Sequence, residues 1–236
     1  LREVHHKWHS AVIGREFDML VFGHAGYPLL LFPTSMGKYY ENKDFGLISS
    51  VQHFIDQGLV KIYCPDSLDR DSWYNKHIHP RDRVLNHILY EQMLLQEIIP
   101  VMQQENQAAH IAVAGCSFGG FHAANLAFRH PDLVRYMFSM GGAFNIKNQL
   151  DGYFDDQVYF NNPVDYLPGL EHPGLRQMGI VFGTSEYDFC LPQNVEMHRT
   201  LQQKNVASWL DIRPGAHHDW PVWQEMFPQY VSLIKP

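Results

Sequence analysis

Ile111-Ala112-Val113-Ala114-Gly115-Cys116-Ser117-Phe118-Gly119-Gly120-Phe121-His122 is the stretch from which the rest of this chain can be read. Four apolar residues run straight into G-x-S-x-G at Gly115, Ser117 and Gly119, and a segment of helical period follows. A serine in that pattern sits on a sharp strand-to-helix turn with strained backbone angles, so its neighbours two residues away must lack a bulky Cβ. Its hydroxyl then stands exposed at the top of a sheet. The N-terminus of the following helix turns its positive dipole toward any negative charge that develops there. Ser117 is the candidate nucleophile.

Working outward, further continuous apolar runs occur at Leu29–Phe32, Val60–Tyr63, Tyr136–Ser139 and Gly179–Phe182. Runs without alternation suit strands covered on both faces. Helical stripes lie between them. Phe45, Ile48, Val51, Ile55 and Leu59 form one; Val84, Ile88, Met93, Leu94, Ile98 and Val101 form a longer one, opened by Pro80 and Asp82. Others cover 121–129, 193–203 and 221–234. Such alternation predicts an α/β fold, a mostly parallel sheet with helices on both faces. The opening differs: residues 3–10 and 15–22 alternate in character with Gly14 between them, which predicts an antiparallel meander. Residues 143–176 hold Tyr153, Phe154, Tyr159, Phe160 and Tyr166 without a period. They are expected to form a short cap-like excursion over a site at the carboxyl ends of the strands. With no repeat or low-complexity tract, residues 1–236 read as a single domain.

Composition narrows the function. The chain is 45% hydrophobic, which excludes disorder, and carries 18 Lys+Arg against 25 Asp+Glu. The acidic balance argues against nucleic acid or an anionic membrane surface as partner. Cys64, Cys116 and Cys190 are an odd number without C-x-x-C spacing, so neither a disulfide framework nor a cysteine zinc site is expected. Fifteen histidines invite a metal, with His5 and His9 on one strand face and His77-x-His79 as candidate chelators. None stands in a catalytic zinc pattern and H-E-x-x-H is absent, so no metal and no cofactor are expected. The first ten residues do not resemble a signal peptide, which makes cytoplasmic the default; the chain does not begin with Met, so a removed leader stays open. Oligomeric state is not readable.

A serine needs a base, and the base needs an orienting acid. After the apolar run ending at Phe182 comes Gly183-Thr184-Ser185-Glu186-Tyr187-Asp188-Phe189. Asp188, deeper in the loop and beside an apolar neighbour, is preferred as the acid, with Glu186 its rival. After the strand predicted at 208–212 comes Pro214-Gly215-Ala216-His217-His218-Asp219-Trp220, and position alone does not separate His217 from His218.

Gly115-Cys116-Ser117-Phe118-Gly119-Gly120, Ser72-Trp73-Tyr74 and His218-Asp219-Trp220-Pro221-Val222-Trp223 together resemble the putative-esterase branch of the α/β hydrolases. That branch holds S-formylglutathione hydrolase, feruloyl esterases and mycolyltransferases. The resemblance spans nearly the whole chain and implies an α/β-hydrolase fold. Its closing pattern of His, any residue, Trp, two residues, Trp makes His218 the base. Members differ in whether the acid is Asp or Glu. The resemblance also implies an oxyanion hole built from the Phe118 N–H and a second N–H from the loop Phe32–Lys38, Met36 first and Ser35 next. It puts Trp73 and Tyr74 in the wall of the substrate pocket, beside Ser35. His122 is expected to be structural and Cys116 to lie buried under the turn.

The function that follows is a serine carboxylesterase for small or aromatic esters, since no extended apolar lid is visible. A second reading keeps the same three residues and passes the acyl group to an alcohol or thiol. A third is a non-catalytic binding module, whose mark would be a missing triad member; none is missing.

Overall fold

In the computed structural model, which describes residues 2–235, eight strands form one sheet. They are β1 (Glu3–Ser10), β2 (Arg15–Phe22), β3 (Tyr27–Phe32), β4 (Val60–Pro65), β5 (Ile111–Cys116), β6 (Val134–Met140), β7 (Gly179–Tyr187) and β8 (Trp209–His217), in the order β1-β2-β4-β3-β5-β6-β7-β8. β1 and β2 pair antiparallel, β2 meets β4 antiparallel, and the remaining pairs are parallel. The predicted meander and parallel sheet are both present.

Ten α-helices among the described residues join the strands. They are α1 (Glu41–Asp44), α2 (Leu47–Ser50), α3 (Gln52–Asp56), α4 (Pro80–Met93), α5 (Ile99–Asn106), α6 (Phe118–Arg129), α7 (Asp156–Tyr159), α8 (Pro163–Tyr166), α9 (Leu191–Gln203) and α10 (Trp220–Val231). The strand runs are apolar throughout because both faces are covered. Leu30, Phe32, Ile111 and Val113 pack with α4, α5, α6 and α9 on one side. Leu29, Leu31, Ala112 and Ala114 pack with α2, α3 and α10 on the other. Each fully buried Leu or Phe in these layers contributes about 1.5–3 kcal/mol of hydrophobic stabilisation.

Two helical predictions need correction. The 45–59 stripe is not one helix: Val51, at φ −113°, divides it into α2 and α3, and Gly46, in the left-handed region at φ 75°, separates it from α1, which ends at Asp44. Ile48, Val51 and Ile55 are buried, whereas Phe45 and Leu59 are exposed. The 84–101 stripe is interrupted by a π-helical turn at Leu94–Ile98, one residue before the helix resumes at Ile99. Pro100 has no N–H for the carbonyl of Gln96, and the wider turn accommodates that missing bond.

Residues 143–176 form short helical turns, including α7 and α8. They are bound to neighbouring helices by side chains. Asn125 and Arg129 of α6 donate to Asn161 Oδ1 and the Phe160 carbonyl, and Gln193 of α9 accepts from the N–H groups of Phe144 and Asn145. Ile146, Leu150 and Val158 pack with Phe118 and Phe121. Among the described residues, no helix is long and apolar enough to cross a membrane.

Candidate active site

β5 delivers Ser117 to the carboxyl edge of the sheet, and α6 begins at the next residue. Ser117 has φ 55° and ψ −121°, a conformation that L-residues seldom adopt. The glycines are demanded by contact as well as by turn geometry. A Cβ on Gly115 would lie 2.2 Å from the backbone of Gly119, and one on Gly119 would lie 2.6 Å from the Pro33 carbonyl oxygen. The strand–helix crossing therefore closes only without those methylenes.

Three side chains far apart in sequence meet here. His218 Nε2 lies 2.9 Å from Ser117 Oγ, and His218 Nδ1 lies 2.8 Å from Asp188 Oδ1. With Nδ1–H donating to the carboxylate, Nε2 is left as acceptor for the serine hydroxyl. Asp188 is buried, immediately beyond the end of β7. Its carboxylate also accepts from the Cys190 N–H at 2.7 Å and from the Thr184 hydroxyl at 3.2 Å. Glu186 is elsewhere: it is exposed and accepts from the Gly215 N–H. His217 is exposed too, its ring against Tyr187 and its carbonyl accepting from Ser185.

The apolar neighbour expected to shield Asp188 does not do so. Phe189 is largely exposed and lies instead on His218, ring centroids 4.2 Å apart. Trp223 meets the same imidazole edge-on at 4.9 Å.

The loop after β3 corrects one expectation. The Met36 N–H already donates to Asp69 Oδ2 at 3.0 Å, and Asp69 Oδ1 accepts from His122 Nε2 at 2.8 Å. The Thr34 N–H goes to Glu41 and the Gly37 N–H to the Thr34 carbonyl. Of the amides from 34 to 37, Ser35 alone has no acceptor among the described residues. Phe118, first residue of α6, carries one of the N-terminal N–H groups that a helix leaves without an internal partner.

Trp73 is likewise corrected. It is wholly buried, packed on His87 and Phe121, so none of its surface is open to a substrate. Tyr74 is at the site: its hydroxyl donates to Ser35 Oγ and its ring meets Phe118 edge-on.

Asp69, Thr184 and Gly141 escaped the sequence reading. Asp69 stands in a polar loop with two other aspartates, Asp66 and Asp71, and Thr184 had only its place after an apolar run to mark it. Gly141 carries no local signal.

Burial pushes the Cys116 thiol well above its ordinary range and the Cys190 thiol up to about 12. Neither is a ready nucleophile. Asp188, Cys190 and His218 are also the closest group of potential metal ligands among the described residues, with ligand atoms within 4.8 Å of one another. As arranged, the acid and the imidazole bond to each other and to Ser117. Three of the histidines considered as chelators are engaged locally. His5 bonds to Asp18, His9 lies 3.5 Å from Glu16, and His79 caps α4.

Comparison with known proteins agrees with this architecture. The sequence model of the family described as "Putative esterase" matches residues 68–234. No curated protein matches by sequence. A ferulic acid esterase superposes with a TM-score of 0.79 at 19% identity, covering 98% of this chain and 96% of the other. An S-formylglutathione hydrolase of Staphylococcus aureus gives 0.74 at 13% identity, covering 98% of each. The ferulic acid esterase of the anaerobic fungus Anaeromyces mucronatus gives 0.76 at 15%, covering 98% of this chain and 89% of its own. At such identities the likeness establishes the α/β-hydrolase fold.

Proposed function

The chain belongs to the "Putative esterase" family and is a carboxylic ester hydrolase, and from that premise we propose that it works through an acyl-enzyme on Ser117. The observation that carries this reading is the unbroken relay from Ser117 Oγ through His218 to Asp188, 2.9 and 2.8 Å. His218 Nε2 takes the serine proton as Oγ attacks the ester carbonyl carbon. The resulting oxyanion accepts from the Phe118 N–H and, in place of Met36, from the Ser35 N–H. Each such donor is worth about 3–4 kcal/mol of transition-state stabilisation. His218 then gives its Nε2 proton to the alkoxide as the carbon–oxygen bond breaks. Water enters, loses a proton to the same nitrogen, and releases the acid. Asp188 holds Nδ1–H throughout and stabilises the imidazolium.

Small or aromatic acyl groups fit best. Tyr74 and Phe118, backed by Ile146 and Leu150, crowd the side next to the nucleophile. Replacing Ser117 by Ala should abolish turnover of p-nitrophenyl acetate with the circular dichroism spectrum unchanged. Wild-type rates in that variant would remove Ser117 from the chemistry.

A further inference from the structure

The imidazole side of the site carries an aromatic group for which the relay has no use. Phe189 is 74% exposed, more than any other large apolar side chain among the described residues. Its turn does not depend on the ring. The Asp188 N–H donates to the Ser185 carbonyl, the Leu191 N–H to the Asp188 carbonyl and the Cys190 N–H to the Asp188 carboxylate. Yet the ring rests on His218 with its centroid 4.2 Å away. From His218 an aromatic chain continues through Trp223 and Trp220 to Phe45, itself half exposed and stacked on Trp220 at 4.8 Å. Exposed apolar surface that is contiguous with a reactive group marks a place where ligand is received.

Chemistry fixes which part of the ligand. His218 protonates the departing oxygen, so the alcohol's substituent passes along the imidazole. The carbonyl oxygen points toward the oxyanion donors beside Phe118, and the acyl substituent leaves the same carbon away from the imidazole. We propose that Phe189 is the wall of an apolar subsite for the alcohol portion of the ester. The enzyme accordingly favours alcohols that carry an aromatic or bulky apolar group. This rests on the serine-esterase reading of Ser117 and His218.

The test uses the full chain and two acetates whose alcohols have similar acidity, ethyl acetate and benzyl acetate. The ratio of their kcat/KM values is the readout, because it cancels any general effect on the relay. In Phe189→Ala the benzyl-to-ethyl ratio should fall by about tenfold, the size expected when one aromatic contact is lost. Phe189→Leu should retain part of the preference. The ratio of benzyl butyrate to benzyl acetate should stay within about twofold of wild type, since the acyl group lies on the other side. An unchanged benzyl-to-ethyl ratio overturns the subsite, as does an equal loss on both acetates, which would make Phe189 a prop for His218. Either result with turnover still dependent on Ser117 leaves the esterase mechanism standing. Turnover that survives in Ser117→Ala removes the mechanism and the subsite together.

Discussion

Gly141, the residue after β6, has φ 63° and bonds through its N–H to the Gly183 carbonyl. A Cβ built there would lie 2.9 Å from both Asp188 Oδ2 and His218 Nδ1. The missing methyl is therefore the space into which Asp188 and His218 fit against the backbone. Gly141→Ala is expected to lower kcat at least about tenfold, because a displaced imidazole forfeits near-attack geometry. It should also cost about 1–2 kcal/mol of stability, the strain of an L-residue in the left-handed region. Steady-state kinetics together with a urea titration separates the two effects; a kcat equal to wild type would show that the pair does not need this space.

At the scale of elements, the face between α4 and α6 is buried yet polar. His87 accepts from Asn125 Nδ2, and the Tyr166 hydroxyl donates to Asn125 Oδ1. Burial, reinforced by the neighbouring His122, pushes the His87 imidazole down to about 3. Its folded value lies below the ordinary one of about 6.5, so the unfolded chain takes up a proton that the folded chain refuses. Stability from this group is complete above about pH 6.5 and declines by about 1.4 kcal/mol per pH unit as pH falls toward 3. Between pH 7 and pH 5 the wild type should lose about 2 kcal/mol through His87. In His87→Gln, whose amide oxygen can still accept from Asn125, that part of the pH dependence should vanish. Urea midpoints at the two pH values measure it, and parallel declines in both proteins would refute a buried neutral His87.

For the whole molecule, the sheet holds the relay while side chains hold the excursion after β6. Arg83 of α4 is buried and donates from Nη1 to the Gln149 carbonyl and to Asp151, each at 2.6 Å, and from Nη2 to the Ile78 carbonyl. The exposed carboxylate adds little by itself. The half-buried Ile78 carbonyl matters more, since losing its partner costs about 1–3 kcal/mol, whereas the Gln149 carbonyl still accepts from Lys76 Nζ at 3.0 Å. Arg83→Met keeps the volume and removes the donors. Proteolysis between residues 146 and 156 should become several-fold faster, with the β-sheet signal in circular dichroism unaltered. Equal cleavage rates would mean that apolar packing on Phe118 and Phe121 suffices to hold this segment.

The sheet was legible because two-sided burial writes an unbroken apolar run, as in Leu29–Phe32 and Ile111–Ala114, and alternation writes an exposed antiparallel edge. The turn at Ser117 was legible for a similar reason: Gly115 is dictated by a backbone contact with Gly119 four residues on, although Gly119 itself answers to Pro33, far off in sequence. Local physics leaves local marks, so the chain alone determined its α/β architecture and its candidate nucleophile. What lay between distant loops was decided only in three dimensions. A family pattern alone named His218 over His217, and it is the fold that puts the His218 imidazole between Ser117 and Asp188. Met36 yields its amide to Asp69, Trp73 is buried out of reach of solvent, and Gly141 makes room for Asp188 and His218. Each of these follows from which groups are brought together by strands whose order in the sheet is not their order in the sequence, and hydrogen-bond occupancy across such contacts leaves no periodic trace along the chain.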